Sequence, residues 1–113
     1  MGYPLCREVV TVYRKNGSGV FRQLISGCYF ENSRVREENG LGFGWENRFL
    51  LIVPGETQGV FVGDKVYFGI GPEVNVEQWA QFCSANYEEV GEVAYATPYF
   101  RSGRLCHTEA GRK

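Results

Sequence analysis

The segment 59–82, GVFVGDKVYFGIGPEVNVEQWAQF, constrains the fold most strongly because it joins two short strand patterns to a well-marked helix start. Val60–Val62 and Lys65–Phe68 are apolar-rich runs separated by Gly63 and Asp64. This order predicts a strand, a tight turn or bulge, and a second strand. Two glycines and a proline follow, which end the second strand.

A single short helix is predicted near residues 75–84. Asn75 is a candidate N-cap, and Gln78 stands three residues later, where the partner of a capping box belongs. Trp79 and Phe82 then lie on one face by the i, i+3 rule. The helix therefore presents an aromatic edge that the neighbouring strands must cover.

The remaining chain has the pattern of short antiparallel strands. Glu8–Arg14 and Val20–Phe30 flank an Asn16-Gly17 turn, which predicts an opening hairpin, and Gly27 predicts a bulge or bend in the second of these strands. Further strand patterns cover residues 47–54, 87–99 and 105–110. We therefore expect about six strands in one domain, residues 1–113, folded as a small antiparallel β-barrel or sandwich, because closing the sheet removes exposed edges.

Residues 31–46, ENSRVREENGLGFGWE, predict a long, flexible, glycine-punctuated loop. Its glycines match neither a dinucleotide fingerprint nor a phosphate loop. Leu41, Phe43 and Trp45 alternate with glycine, and exposed apolar residues on a loop are typical of a segment that orders against a partner. A solvated flexible loop is the alternative interpretation, and the sequence favours neither.

Composition excludes several classes of protein. A net charge of −1 argues against an electrostatic nucleic-acid binder. No apolar run is long enough to span a membrane, and the first residues lack the pattern of a signal peptide. The 4 cysteines form no C-x-x-C pair, so we expect buried free thiols rather than a zinc site or disulfides.

Candidate catalytic residues are few, so we expect no enzyme, no cofactor and no metal. His107 is the sole histidine, and its neighbour Cys106 lies on the opposite face of the predicted strand. Asp64 is the sole aspartate and is interpreted as a turn residue. The pair Glu88-Glu89 is interpreted as a solvated connection rather than as a general acid and base.

Charge is distributed unevenly along the chain. Residues 66–100 contain acids but no lysine or arginine, whereas most of the charged residues in 101–113 are basic. Such a division is typical either of simple solvation or of a head-to-tail interface between copies. The candidate subunit interface has four members, Arg101, Arg104, Glu88 and Glu89.

Three segments in this order resemble a known family of structural proteins. They are the hairpin VTVYRK…GVFRQLISGCYF with its glycine-rich loop, GDKVYFGIGPEV leading into VEQWAQF, and the terminal VGEVAYATPYFRSGRLCHTEAG. The last segment carries Gly103, His107 and Glu109 at the spacing of the family's closing strand. The chain resembles the minor capsid or head–tail connector (stopper, head-completion) proteins of tailed bacteriophages and prophages.

The resemblance implies a non-catalytic β-barrel that forms a homo-oligomeric ring at the neck of the virion. The ring would lie between the portal or adaptor and the tail, with DNA only as channel content, after assembly in the host cytoplasm. Residues 36–45 would be the assembly loop. The alternative is a cytoplasmic β-barrel module that binds a peptide or a small ligand on an aromatic face.

Overall fold

The computed structural model describes residues 7–39, 42–85 and 90–112, and for residues 32–39, 42–47 and 84–85 it describes the backbone alone. The described residues contain seven antiparallel strands and two single-turn helices. The elements in chain order are β1 (Glu8–Asn16), β2 (Gly19–Asn39), β3 (Gly42–Pro54), β4 (Lys65–Phe68), α1 (Val76–Trp79), α2 (Phe82–Ala85), β5 (Val90–Glu92), β6 (Tyr95–Arg101) and β7 (Arg104–Arg112).

The strands form one seven-stranded sheet in the order β5-β4-β1-β2-β3-β7-β6. The long strand β2 divides it into two parts, which we call the first sheet (β5-β4-β1-β2) and the second sheet (β2-β3-β7-β6). Its first part pairs with β1 in the first sheet, and its second part, from Tyr29 onward, pairs with β3 in the second sheet. The strand bends where Gly27 takes a φ of 72°, next to a register shift in the β1–β2 ladder. The bulge predicted at this glycine is confirmed, and it turns the first sheet into the second.

The two ends of the strand order meet through the chain itself. β5 and β6 lie at opposite ends, yet only Val93 and Ala94 separate them. The amide of Val93 donates to the carbonyl of Asp64 in the first sheet (2.8 Å), and the amide of Ala94 donates to the carbonyl of Gly111 in the second sheet (2.7 Å). We call this connection the seam. It makes the fold barrel-like although the ladder itself is not closed.

The main core fills the space between the two sheets. Its buried members are Val10, Val12, Cys28, Phe49, Leu51, Val53, Val60, Val66, Val93 and Ala110. They come from both sheets and from the seam, so neither sheet buries its inner face without the other. Small and β-branched residues dominate this set, as expected for closely packed sheet faces.

The helical segment covers the outer face of the first sheet. Asn75 and Gln78 form the predicted capping box, which starts α1. The ring of Phe82 meets Tyr13 edge-on at a centroid distance of 4.7 Å. Trp79 and Tyr67 pack against the same cluster. The helix predicted near residues 75–84 is therefore confirmed, as two successive turns.

Two expectations about secondary structure were wrong. Residues 31–46 are not a long loop, because the backbone of 31–39 and 42–46 continues β2 and β3 as a paired ladder. Residues Val60–Val62 are not a strand. The carboxylate of Asp64 accepts the Phe61 amide and holds this segment as a turn. The mainly β, antiparallel, barrel-like class is confirmed.

Gly111 offers a test of how closely the second sheet packs. A Cβ atom there would lie 2.0 Å from the Phe49 carbonyl oxygen, which belongs to the paired backbone of β3. Gly111→Ala should therefore lower the free energy of unfolding by more than about 3 kcal/mol, measured by urea denaturation.

Gly19→Ala is the matched control. Its Cβ would meet nothing closer than 3.9 Å, so the free energy of unfolding should change by less than about 1 kcal/mol. Equal stability of the two variants would contradict the register given for β3 and β7.

Candidate functional site

A two-stranded arm projects from the barrel. Beyond the pair Phe49–Arg112, β3 has β2 as its only described neighbour, and β2 leaves β1 after Cys28. Seven further pairs follow, from Ser33–Arg48 to Asn39–Gly42. At about 3.3 Å per residue the arm extends roughly 20 Å past the last three-stranded position.

The arm has two unlike faces by the alternation of its strands. Phe43 and Trp45 are two residues apart and so share a face with their cross-strand partners, Glu38 and Arg36. The other face carries the eight residues Ser33, Val35, Glu37, Asn39, Gly42, Gly44, Glu46 and Arg48. An isolated two-stranded ribbon is marginally stable in water. The arm is therefore the element of this fold that gains most from a surface on another molecule.

The β6–β7 hairpin forms a second projection with an exposed tip. Ser102 (φ 53°) and Gly103 (φ 77°) both have positive φ, as a type I′ turn requires. The turn places Arg101 directly opposite Arg104, and Phe100 next to them is 65 % exposed. Like charges directly opposite each other destabilise a hairpin, and neither arginine has an acidic partner among the described residues.

Side-chain contacts hold the base of this hairpin. The rings of Tyr99 and His107 stack at a centroid distance of 4.8 Å, and His107 Nε2 lies 3.7 Å from the Glu109 carboxylate. A bulge between Tyr99 and Phe100 then shifts the register. The tip is thus carried on a stiff stem, which suits a contact surface.

A buried ion pair closes one end of the barrel. Asp64 is 2 % exposed, and its carboxylate accepts from Arg14 Nε at 2.9 Å and from Arg14 Nη2 at 2.7 Å. The same carboxylate accepts the amide of Phe61 at 2.9 Å. The hydrogen bonds from Arg14 to the Asp64 carboxylate raise the pKa of the Arg14 guanidinium. The Arg14 guanidinium also lies 4.4 Å from the centroid of the Phe61 ring.

An open groove of about 570 Å³ runs beside this ion pair. Its lining includes Lys15, Phe61, Val62 and Trp79. Buried Lys65 donates to the carbonyl of Trp79 and lies 4.4 Å from the centroid of its ring, which fixes the indole at the groove wall. The groove thus combines aromatic surface with cationic groups that are largely engaged within the chain.

The described residues offer little for catalysis. In this part of the chain no group of three His, Cys, Asp or Glu side chains could hold a metal ion. Cys28, Cys83 and Cys106 form no disulfide there, and burial raises the pKa of the Cys83 thiol, which favours the unreactive protonated form. Across the same ranges, no helix is long and apolar enough to cross a membrane.

The structure places only some of the residues singled out from the sequence. Leu41, Glu88 and Glu89 lie outside the described residues. Arg101 and Arg104 lie together at the hairpin tip. Phe43 and Trp45 are placed by their backbone on the arm, so the proposed assembly segment is a strand and not a loop.

The sequence reasoning missed the groove and the exposed aromatic residue of the tip. The groove joins Arg14 to Phe61 across a long sequence separation, and no local pattern marks such a contact. Phe100 carried a detectable signal, since an aromatic residue next to an Arg-Ser-Gly-Arg turn has little room to be buried.

Comparison with known proteins gave no match. No family model, no curated protein and no solved structure matches this chain. Functional inference therefore depends on the fold and the surfaces of the chain itself.

The arm should be dispensable for folding. Replacing residues 34–47 with an Asn-Gly turn would close β2 and β3 at the Ser33–Arg48 pair. The shortened chain should lose less than about 1 kcal/mol of unfolding free energy in a thermal melt, because a ribbon without a third strand contributes little. Failure of this variant to fold would contradict the assignment of residues 34–47 as a projection.

The Asp64 carboxylate should be important for stability. Asp64→Asn keeps the shape of the side chain but leaves Arg14 without its counterion. The change should lower the free energy of unfolding by about 2–3 kcal/mol, measured by urea denaturation. The control Glu73→Gln removes a carboxylate that is exposed and should stay within about 0.5 kcal/mol of the unmodified chain. Equal effects of both changes would show that the buried ion pair adds nothing to the barrel.

Proposed function

We propose that this protein is a non-catalytic structural component of a tailed-phage or prophage particle, a head–tail connector of the stopper or head-completion type. In this proposal it assembles as a ring at the neck, between the portal or adaptor and the tail. The observation that carries the proposal is the arm of residues 33–48, which projects from the barrel with no third strand beside it among the described residues.

The arm supports an assembly role because an isolated two-stranded ribbon is only marginally stable in water. Among the described residues neither edge of the arm pairs with a third strand, and exposed edges promote pairing with another chain. A neighbouring subunit or an adaptor protein could supply either a strand or an apolar surface. The face that carries Phe43 and Trp45 is the part we assign to that contact.

The barrel supports the same role by being compact and chemically inert. Its cores are apolar, and its buried acid is engaged with Arg14 and with a backbone amide. The similarity of its three sequence segments to connector proteins agrees with a rigid body that presents projecting elements. DNA would pass through the ring without specific contacts, in keeping with the net charge of −1.

The arm proposal has a direct experimental test. The chain and a Phe43→Ser, Trp45→Ser variant would be mixed with particles that lack this protein, and incorporation would be measured by co-sedimentation. The variant should incorporate at least about tenfold less, since two aromatic contacts are lost.

A matched control changes the other face of the arm. Glu37→Ser with Glu46→Ser changes two residues of the same arm and should leave incorporation within about twofold of the unmodified chain. Normal incorporation of the Phe43, Trp45 variant would overturn the assignment of the arm as the assembly element.

A cytoplasmic module that binds a peptide or a small ligand is the second candidate, and the groove beside Arg14 favours it. Phe61 is 42 % exposed there and faces the wall that contains Trp79. An acidic, aromatic peptide would quench or shift the fluorescence of Trp79, and Phe61→Ala would weaken that binding. An unchanged fluorescence spectrum across a library of such peptides would rule out this second candidate.

A further inference from the structure

The segment 70–77, which follows β4 and leads into α1, carries two exposed acids that have no partner among the described residues. Ile70 is 69 % exposed, and Glu73 and Glu77 are exposed and have no hydrogen bond or ion pair among the described residues. We call Ile70, Glu73 and Glu77 the acidic patch.

The acidic patch is held rigidly by the sheet beneath it. Thr11 Oγ1 donates to the Gly69 carbonyl and accepts the Gly71 amide, both at 2.8 Å. Tyr13 donates to the Pro72 carbonyl at 2.6 Å, and the Arg22 guanidinium donates to the Gly71 carbonyl. The backbone of 69–72 is thereby fixed, while the side chain of Ile70 is left in solvent.

The tip of the β6–β7 hairpin has the opposite charge and a similar composition. It presents one exposed apolar side chain, Phe100, and two unpartnered cations, Arg101 and Arg104. Glu56 lines the same depression as Arg104 but forms no ion pair with it among the described contacts. We call Phe100, Arg101 and Arg104 the basic tip.

We propose that the basic tip of one copy docks on the acidic patch of a second copy of this chain. This inference rests on the proposed ring and names the contact that would build it. Each surface has one exposed apolar residue and two charges without a partner among the described residues, and these charges have opposite signs on the two surfaces. A contact of the tip with the segment 70–77 would therefore pair arginines with glutamates and Phe100 with Ile70. The guanidinium of Arg22, a cation beside the patch, is engaged with the Gly71 carbonyl. The Arg101–Arg104 repulsion is then offset by acids that the chain itself does not place there.

The positions of the two surfaces fit repeated head-to-tail contact. The tip belongs to the second sheet, whereas the patch lies over the outer face of the first sheet. An interface between two different surfaces leaves one of each free on every pair, which generates a ring when the rotation closes. Exposed ion pairs are individually weak, so the contact gains strength from ring closure.

Other acids are less suitable as the partner. Glu92 lies 3.3 Å from Arg112, and Glu109 lies beside His107. Glu88 and Glu89, predicted as interface residues from the sequence, lie outside the described residues. Glu73 and Glu77 are the acids of the 66–100 segment that the described structure leaves available.

Photocrosslinking tests this contact even when it is weak. Benzoylphenylalanine would replace Phe100 in full-length chain at about 1 mM, where contacts with a Kd near that value are populated. A mixture of isotopically heavy and light chains would identify bonds between different copies by mass spectrometry. We expect a crosslink between copies from position 100 to the peptide that contains residues 70–77.

Charge reversal then tests the pairing. Arg101→Glu with Arg104→Glu should reduce this crosslink about fivefold, as should Glu73→Arg with Glu77→Arg. Combining all four changes should restore the yield to within about twofold. Arg7→Glu with Lys15→Glu makes the same change in charge on exposed residues outside both surfaces and should leave the crosslink unchanged.

The outcomes separate this contact from the proposed function. No crosslink between copies, a crosslink to another segment, or no restoration in the combined variant would overturn the pairing, even if the chain still entered particles through its arm. The expected crosslink with rescue would support the pairing, and failure to enter particles would then count against the connector role alone.

Discussion

The rest of this fold depends on the hydrogen bonds that the buried carboxylate of Asp64 accepts. The carboxylate accepts hydrogen bonds from Nε and Nη2 of Arg14 and from the amide of Phe61. The backbone carbonyl of Asp64 accepts a hydrogen bond from the amide of Val93. One residue therefore joins β1, the turn before β4 and the seam between β5 and β6. Because a buried charge is costly unless it is fully paired, this arrangement specifies a single way to close the barrel.

Closing the barrel determines which surfaces remain for other molecules. The inner faces of both sheets are used by the main core, and the outer face of the first sheet is covered by the α1–α2 segment. The arm, the basic tip and the acidic patch project from this body. The tip and the patch are attached to elements of the two sheets, so they present their residues to a partner with little further loss of conformational entropy, whereas the arm gains stability by packing against a partner.

Local sequence signals predicted much of the fold. The opening hairpin, the bulge at Gly27 and the capping box of Asn75 and Gln78 depend on near neighbours and were correctly predicted. Residues 31–46 were wrongly predicted as a loop because glycine and charge are typical of loops. They pair as a ribbon through contacts between β2 and β3, which no single-strand pattern reveals.

The candidate surfaces were harder to predict because they depend on long-range placement. Arg14 and Asp64 are far apart in sequence, and nothing near either residue marks the other as its partner. The uneven charge along the chain was visible in the sequence and indicated Arg101 and Arg104 as interface residues. The structure places them opposite each other at the hairpin tip, and their role at an interface stays a prediction. Which acids remain available depends on ion pairs such as Glu92–Arg112, and these follow only from the folded chain.

The molar mass of the assembled species tests the central claim most directly. Light scattering would compare the full-length chain alone with the chain mixed with the head proteins encoded beside it. The connector account predicts a defined ring, several times the 12.8 kDa mass of one chain, once those proteins are present. A chain that keeps the mass of a monomer in every mixture would contradict the account.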